Sequence, residues 1–151
     1  MKQETNSNEN NVFAKMKQMA GSEMVTLPPR CHEYLEGEFV EYVEGQSITM
    51  KFPIYEKYNN PAGVILGGFM PLFFDATMGP LSYLLAQRPV TTLDINTTFL
   101  RPIMASQKYV TVSASLVNLS KSYLFLEGKA FNPENKLVAT STSRLKILNF
   151  S

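Results

Sequence analysis

One long apolar segment with a single charge constrains the fold of this chain more than any other feature. Almost every residue in the range 65–85 is apolar or small, and Asp75 is the only charged residue among them. Gly67 and Gly68, near its start, allow a close backbone approach and would leave free N–H groups where a helix begins. The pattern predicts a glycine turn followed by a buried helix, and Pro80 is expected to kink that helix or to end its first half.

Two other interpretations of this segment stay open from the pattern alone. Its length is about that of a bilayer span, although its glycines, its prolines and the central acid disfavour one. Alternatively, it is a core helix whose Asp75 has only a structural partner. A lone carboxylate in apolar surroundings must be paired or hydrogen-bonded, and such acids mark functional sites in only part of the cases.

Length and charge limit the class of protein. At 151 residues the chain can form one domain with a real core, which we place at residues 12–151. The 14 basic and 13 acidic residues leave a net charge of +1, too small to attract nucleic acid or an anionic membrane. Residues 1–11 are polar and are expected to form a flexible tail rather than a secretory signal. The single cysteine, Cys31, excludes an internal disulfide and indicates the cytoplasm.

Hydrophobic periodicity predicts one short helix, one long helix and six strands. Residues 12–20 place their apolar side chains on one helical face. Alternation predicts two strands before the long helix and four after it, at residues 38–42, 48–54, 92–99, 109–119, 123–131 and 137–148. In the strand at 92–99, alternation puts Thr92 and Asp94 on the same face. The sum is an α+β domain in which a curved six-stranded antiparallel sheet wraps the long central helix.

The residues that suit chemistry are few. No phosphate loop, dinucleotide fingerprint, zinc spacing or calcium loop occurs in the sequence. Backbone N–H groups at a helix start polarise a carbonyl oxygen, and a carboxylate in an apolar groove acts as a base or a nucleophile. Together with a hydroxyl to hold water and an apolar groove for a tail, they suit attack on an activated acyl group. The candidates are Asn60, Gly67, Gly68, Asp75 and Thr92.

Cys31 and His32, the only cysteine and the only histidine, are a second candidate for chemistry. Adjacent residues rarely face each other as a nucleophile and its base, and no oxyanion turn follows them. We therefore assign them no catalytic role.

From about residue 38 to residue 148 the chain resembles the hotdog-fold thioesterases, in particular the phenylacetic-acid-pathway (PaaI-like) branch and its acyl-CoA thioesterase relatives. The order of elements matches: a hairpin, a central helix and four strands. The motifs that carry the resemblance are residues 60–63 (NPAG), Leu66-Gly67-Gly68, Asp75, residues 91–102 (TTLDINTTFLRP), Ser120-Lys121-Ser122 and residues 135–139 (NKLVA).

The resemblance implies a catalytic role for five residues. Asp75 falls on the catalytic carboxylate of the central helix. Gly67 and Gly68 fall on the glycines whose N–H groups polarise the thioester carbonyl. Asn60 falls on the asparagine that helps place the attacking water or the thioester. Thr92 falls on the Ser/Thr that orients the nucleophile, which the resemblance assigns to the partner subunit.

Three further residues are implied in substrate binding. Lys121 falls on a turn that touches the phosphates of coenzyme A, and Arg101 is expected to do likewise. Leu66 stands where the family has the histidine of a His-Gly-Gly turn, which makes the mouth of the site more apolar. Related dehydratases pair an Asp with a His, and no histidine lies near Asp75 in the sequence, so dehydration is not expected.

The function implied is an acyl-CoA thioesterase that hydrolyses a medium-chain or aryl acyl-CoA to a carboxylic acid and coenzyme A. Coenzyme A enters as part of the substrate, and no metal or redox cofactor is implied. The resemblance places the site between the subunits of a homodimer. It also implies that two such dimers pair into a homotetramer. Because Leu66 replaces the histidine, a non-catalytic acyl-CoA or lipid-binding hotdog protein is the alternative. An interaction module with a structural Asp75 is the third hypothesis.

Overall fold

The computed structural model describes residues 11–19 and 26–149. Within these ranges there are three α-helices: α1 (residues 11–19), α2 (Arg30–Leu35) and α3 (Phe69–Ala86). The strands of the same ranges are β1 (Glu38–Val43), β2 (Ser47–Pro53), β3 (Val90–Phe99), β4 (Tyr109–Leu119), β5 (Tyr123–Phe131) and β6 (Leu137–Ile147). Short 3-10 helices occur at Glu56–Tyr58 and Ala105–Gln107.

The strands form one antiparallel sheet of six strands in the order β1-β2-β4-β5-β6-β3. The long helix α3 packs on one face of this sheet and contacts five of its strands. The predicted hotdog architecture is therefore confirmed, including the hairpin before the helix and the four strands after it. Among the residues that the structure describes, β1 and β3 each pair with one neighbour only, so they are the two edges of the sheet.

Helix α3 lies against the sheet through one continuous apolar face. Its fully buried side chains include Met70, Phe73, Phe74, Met78 and Leu81, which recur at intervals of three and four residues. The helix approaches β5 so closely that a Cβ atom on Gly128 would lie 2.6 Å from Cδ1 of Phe74. Glycine at this strand position is therefore a packing requirement, because a side chain there would displace the helix.

Pro80 does not end the helix, so that part of the expectation is wrong. Helix α3 continues without interruption from Phe69 to Ala86 and stops where Gln87 takes a left-handed conformation with φ of 54°. The proline removes one backbone hydrogen bond, but the residues around it are held by the core: Met78 and Leu81 are fully buried. Among the described residues, no helix has the length and hydropathy that crossing a membrane requires.

The N-terminal part of the chain forms a small aromatic cluster that the sequence analysis did not foresee. Helix α1 matches the helix predicted at residues 12–20, although residue 20 lies outside the described ranges, as does the expected tail apart from residue 11. Helix α2 was not predicted. It buries His32, whose ring meets Phe13 of α1 edge-on at 5.1 Å and stacks on Phe39 of β1 at 5.3 Å.

Strand β3 contains an irregularity that changes which side chains face the helix. Its register with β6 shifts between Thr92 and Asp94, so that Thr92 lies opposite Leu145 and Asp94 lies opposite Arg144. Leu145 is buried in the core, whereas Asp94 forms an ion pair with the exposed Arg144. The expectation that Thr92 and Asp94 share a face is therefore wrong, because a bulge inserts one residue and reverses the alternation.

Candidate functional site

Asp75 lies on the side of α3 that the sheet does not cover. The hydroxyl Oγ1 of Thr92 in β3 donates a hydrogen bond of 3.0 Å to its carboxylate Oδ1. Asp75 is half-buried and Thr92 is exposed, so the carboxylate is reachable from solvent. The bulge in β3 produces this contact, because it turns Thr92 toward the helix while Asp94 faces away.

The family resemblance implied that Thr92 comes from the partner subunit, but its hydrogen bond to Asp75 forms within one chain. Both residues belong to the same chain, and their hydrogen bond needs no second copy. Helix α3 and strand β3 are connected by a short loop and pack against each other, which brings the two side chains together.

A cavity of about 400 Å³ opens beside this pair. Asp75 and Thr92 lie in its lining, together with small and apolar side chains of α3 and of the N-terminal part. Cys31 and His32 also line it, with Cys31 exposed and His32 buried. The sequence pattern held one signal for this arrangement, the apolar face of the N-terminal helix, but nothing to say what that face would cover.

The glycine turn forms the start of α3. The N–H of Leu66 donates to the carbonyl of Tyr58 at 2.7 Å, and the Tyr58 ring stacks on Phe69 at 4.2 Å. Burial raises the pKa of the Tyr58 phenol. Within the described part of the chain, the N–H groups of Gly67 and Gly68 donate to no backbone acceptor, so they remain available at the helix start.

Asn60 supports the loop before this turn. Its side-chain Oδ1 accepts hydrogen bonds from the N–H of Ala62 at 2.9 Å and from the N–H of Val64 at 3.4 Å. Asn60, Gly67 and Arg101 line another cavity, of about 380 Å³. The side-chain oxygen of Asn60 therefore holds the loop in place.

The acid and the glycine turn are separated within one chain. Gly68 and Asp75 are seven residues apart on a continuous helix, which corresponds to about 10 Å along its axis. They also contribute to different cavities, since the lining of the cavity at Asp75 does not include the glycine turn. A carbonyl group bound at one cannot touch the other in the same chain.

The three residues expected to bind substrate lie at different places. Arg101 lies beside the glycine turn and donates from Nη1 to the carbonyl of Leu137 at 2.6 Å. Lys121 is exposed in the β4–β5 turn. The N–H of Ile147 donates a hydrogen bond of 2.9 Å to the carbonyl of Ser122, which connects this turn to the end of β6. The side chain of Leu66 is 55% exposed. Within residues 11–19 and 26–149, no group of three His, Cys, Asp or Glu side chains is placed to hold a metal ion.

Comparison with protein families decides the class of this protein. The model of the thioesterase superfamily matches residues 62–139, just over half of the chain. The chain belongs to the thioesterase superfamily. The matched range contains the glycine turn, Asp75 and Thr92, and the predicted resemblance to the hotdog thioesterases is confirmed. Thioester hydrolysis is accordingly the class of activity.

Solved structures agree with this fold. A thioesterase of Haemophilus influenzae is 26% identical over 78% of this chain and 82% of its own, with a TM-score of 0.71. The PaaI protein of the E. coli phenylacetic acid degradation operon is 15% identical over 95% of this chain and 98% of its own, with a TM-score of 0.77. A phenylacetic acid degradation-related protein of Ralstonia eutropha is 22% identical over 88% and 98%, with a TM-score of 0.73. Among curated proteins, no match to the chain was found.

Proposed function

We propose that this protein hydrolyses acyl-CoA thioesters with a medium-chain or aryl acyl group, using Asp75 as the reactive carboxylate. The observation that carries the proposal is the hydrogen bond of 3.0 Å from Thr92 to Asp75 at the edge of a largely apolar cavity. A carboxylate that is fixed in direction yet open to solvent is suited to activate water or to attack directly.

The proposed reaction needs no metal or redox group. Asp75 removes a proton from water while the water oxygen attacks the thioester carbonyl carbon. The tetrahedral intermediate then collapses with cleavage of the C–S bond, and the proton passes to the coenzyme A thiolate. Because Oγ1 of Thr92 donates its own proton to Asp75, its lone pairs are directed away and can accept a hydrogen bond from the attacking water.

The N–H groups of Gly67 and Gly68 are proposed to stabilise the oxyanion, and a second copy of the chain brings them to Asp75. An oxyanion donor must lie about 3 Å from the reacting oxygen, whereas the two sites are about 10 Å apart within one chain. Gly68 has an ordinary helical conformation, and a Cβ atom there would meet nothing within 4 Å in its own chain. The missing side chain therefore leaves room for a substrate or a second copy of the chain to approach the Gly68 backbone.

A homodimer is proposed on the same grounds. The edge strand β3 pairs only with β6 and leaves its outer backbone groups free to pair with another strand. Thr92 belongs to this strand, so a partner that pairs with it would stand next to Asp75. By family resemblance, two such dimers are proposed to pair into a homotetramer. A cytoplasmic location is proposed on the same basis.

Coenzyme A is proposed to bind through Lys121 and Arg101, with Asn60 supporting the loop at the thioester. Arg101 lines the cavity that contains Gly67, and a guanidinium has further N–H groups that can meet a phosphate. The alternative, a protein that binds acyl-CoA without cleaving it, is favoured by one observation: Leu66 occupies the place of the family histidine and is exposed at the glycine turn.

The decisive experiment measures release of free thiol from a panel of acyl-CoAs by the parent and by Asp75→Asn. We expect the variant to lose about 10²–10⁴-fold in kcat, the range contributed by a general base. Asp94→Asn is the control, since it alters a carboxylate of β3, the strand of Thr92, that pairs with Arg144 on the other face. An Asp75→Asn protein as fast as the parent removes the assigned mechanism, and acyl-CoA binding without product supports the alternative.

A further inference from the structure

The cavity at Asp75 lies between two walls of different origin. One wall is a single face of α3, where Leu72, Ala76, Gly79 and Tyr83 recur every three or four residues. Ala76 and Tyr83 of this face are partly buried against the core, whereas its Leu72 side chain is 41% exposed. Exposed apolar patches beside a polar group are typical of sites that bind a ligand or another protein.

The opposite wall comes from the N-terminal part of the chain. Its apolar members are Phe13 and Met16 of α1 together with Leu27 and Leu35. We call these four side chains the N-terminal wall. All four precede residue 62, where the match to the superfamily model begins, so that match does not define this wall.

Gly79 is the second indication of an occupant. Glycine inside a helix is less favourable than alanine, and its retention needs a reason. A Cβ atom on Gly79 would meet nothing within 4 Å, so no contact among the described residues excludes a side chain. Gly79 lines the cavity, and a side chain at this position would take up cavity volume.

We infer that the N-terminal wall and the Gly79 face of α3 form the acyl-binding pocket and set the length of acyl group that the enzyme accepts. This inference rests on the proposed function. The reacting carbonyl carbon must lie close to Asp75, so the acyl chain that continues from it enters the cavity beginning there. The volume of about 400 Å³ lies near the lower end of ligand pockets and fits a medium-length or single-ring acyl group.

The test changes the volume of the pocket from both walls and measures kcat/KM for butyryl-, octanoyl-, phenylacetyl- and palmitoyl-CoA. Gly79→Leu reduces the volume of the pocket and is expected to lower kcat/KM for octanoyl-CoA by about tenfold or more. The kcat/KM for butyryl-CoA should stay within about twofold of the parent value. Met16→Ala enlarges the pocket and is expected to raise kcat/KM for palmitoyl-CoA relative to kcat/KM for octanoyl-CoA. Gln18→Ala, on the exposed side of α1, is the matched control and should leave the profile unchanged.

Stability separates this result from a loss of folding. Met16 is buried, so Met16→Ala risks unfolding, whereas Gly79→Leu replaces a poor helix former and is expected to keep or raise the melting temperature by about 2–4 °C. A Gly79→Leu protein that loses activity equally on every substrate and dissociates on a sizing column would show that a second copy occupies this face. That outcome overturns the inference, and so does an unchanged chain-length profile in Gly79→Leu.

A binding measurement distinguishes this inference from the proposed function. Cys31 is exposed, lines the cavity and is the only cysteine, so its alkylation by iodoacetamide reports on the pocket. We expect octanoate or phenylacetate to slow alkylation at least about twofold in the parent and not in Gly79→Leu. If the ligand protects Cys31 but no acyl-CoA is hydrolysed, the pocket is supported and the proposed hydrolase activity is rejected. If acyl-CoA is hydrolysed but Cys31 is not protected and the chain-length profile of Gly79→Leu is unchanged, only the pocket is rejected.

Discussion

Thr92 of the edge strand β3 donates a hydrogen bond of 3.0 Å to the carboxylate of Asp75 on α3, within one chain. This bond joins the two elements that border the open face of the helix. It fixes the direction of a carboxylate that is otherwise half-exposed, and it leaves the hydroxyl lone pairs free to meet water.

Removing the Thr92 hydroxyl should therefore affect catalysis more than stability. The hydroxyl orients Asp75, and misplacement of a reacting group by about 1 Å costs up to about a hundredfold in rate, so Thr92→Val is expected to lower kcat roughly tenfold to a hundredfold. The melting temperature should change little because the side chain is exposed. Thr92→Ser keeps the hydroxyl and should recover most of the activity; an equal loss in both variants would contradict this role.

Gly128→Ala tests the contact between α3 and the sheet. The added Cβ atom would lie 2.6 Å from Phe74 and 3.0 Å from Met78, and such overpacking costs about 1–3 kcal/mol of unfolding free energy. Urea unfolding measures the change. Gly68→Ala is the comparison, since its Cβ atom meets open space and should cost less than about 1 kcal/mol. Equal losses in the two variants would mean that the helix does not press on β5 as described.

Leu66→His tests whether the substituted turn limits turnover. The side chain is 55% exposed, so the change should alter unfolding free energy by no more than about 0.5 kcal/mol. If a polar group at this position supports the thioester, kcat should rise roughly tenfold or more. Leu119→His, exposed at the end of β4, should have no effect. No gain from Leu66→His would show that the family histidine is dispensable in this chain.

Lys121→Ala should weaken binding of coenzyme A without changing the chemical step. An exposed ion pair contributes about 0.2–1 kcal/mol, which predicts a rise in KM of up to about fivefold at unchanged kcat. The effect should fade at high salt and vanish with a pantetheine thioester, which lacks the nucleotide phosphates. Lys129→Ala, exposed in the middle of β5, is the control. A KM effect that persists with the pantetheine substrate would exclude phosphate contact.

Much of the fold followed from local patterns. The hairpin, the long helix and the four later strands were all predictable because burial on one face imposes a period of two on strands and of about four on helices. The glycine turn and the lone acid were recognisable because a charge and two small residues interrupt an apolar run. Helix α2 was missed because six residues carry too little periodicity to register.

The amino-acid sequence alone determined which residues are candidates for the site, since Asp75 and the Gly67-Gly68 pair are exceptional in their own segment. Only the tertiary structure decided how they are arranged. A bulge in β3 turned Thr92 toward Asp75 and Asp94 away from it, and packing brought the N-terminal helix over the cavity. The physical reason is range: periodicity records the surroundings of each residue along one element, whereas a bulge and a cavity wall depend on elements that are distant in the sequence.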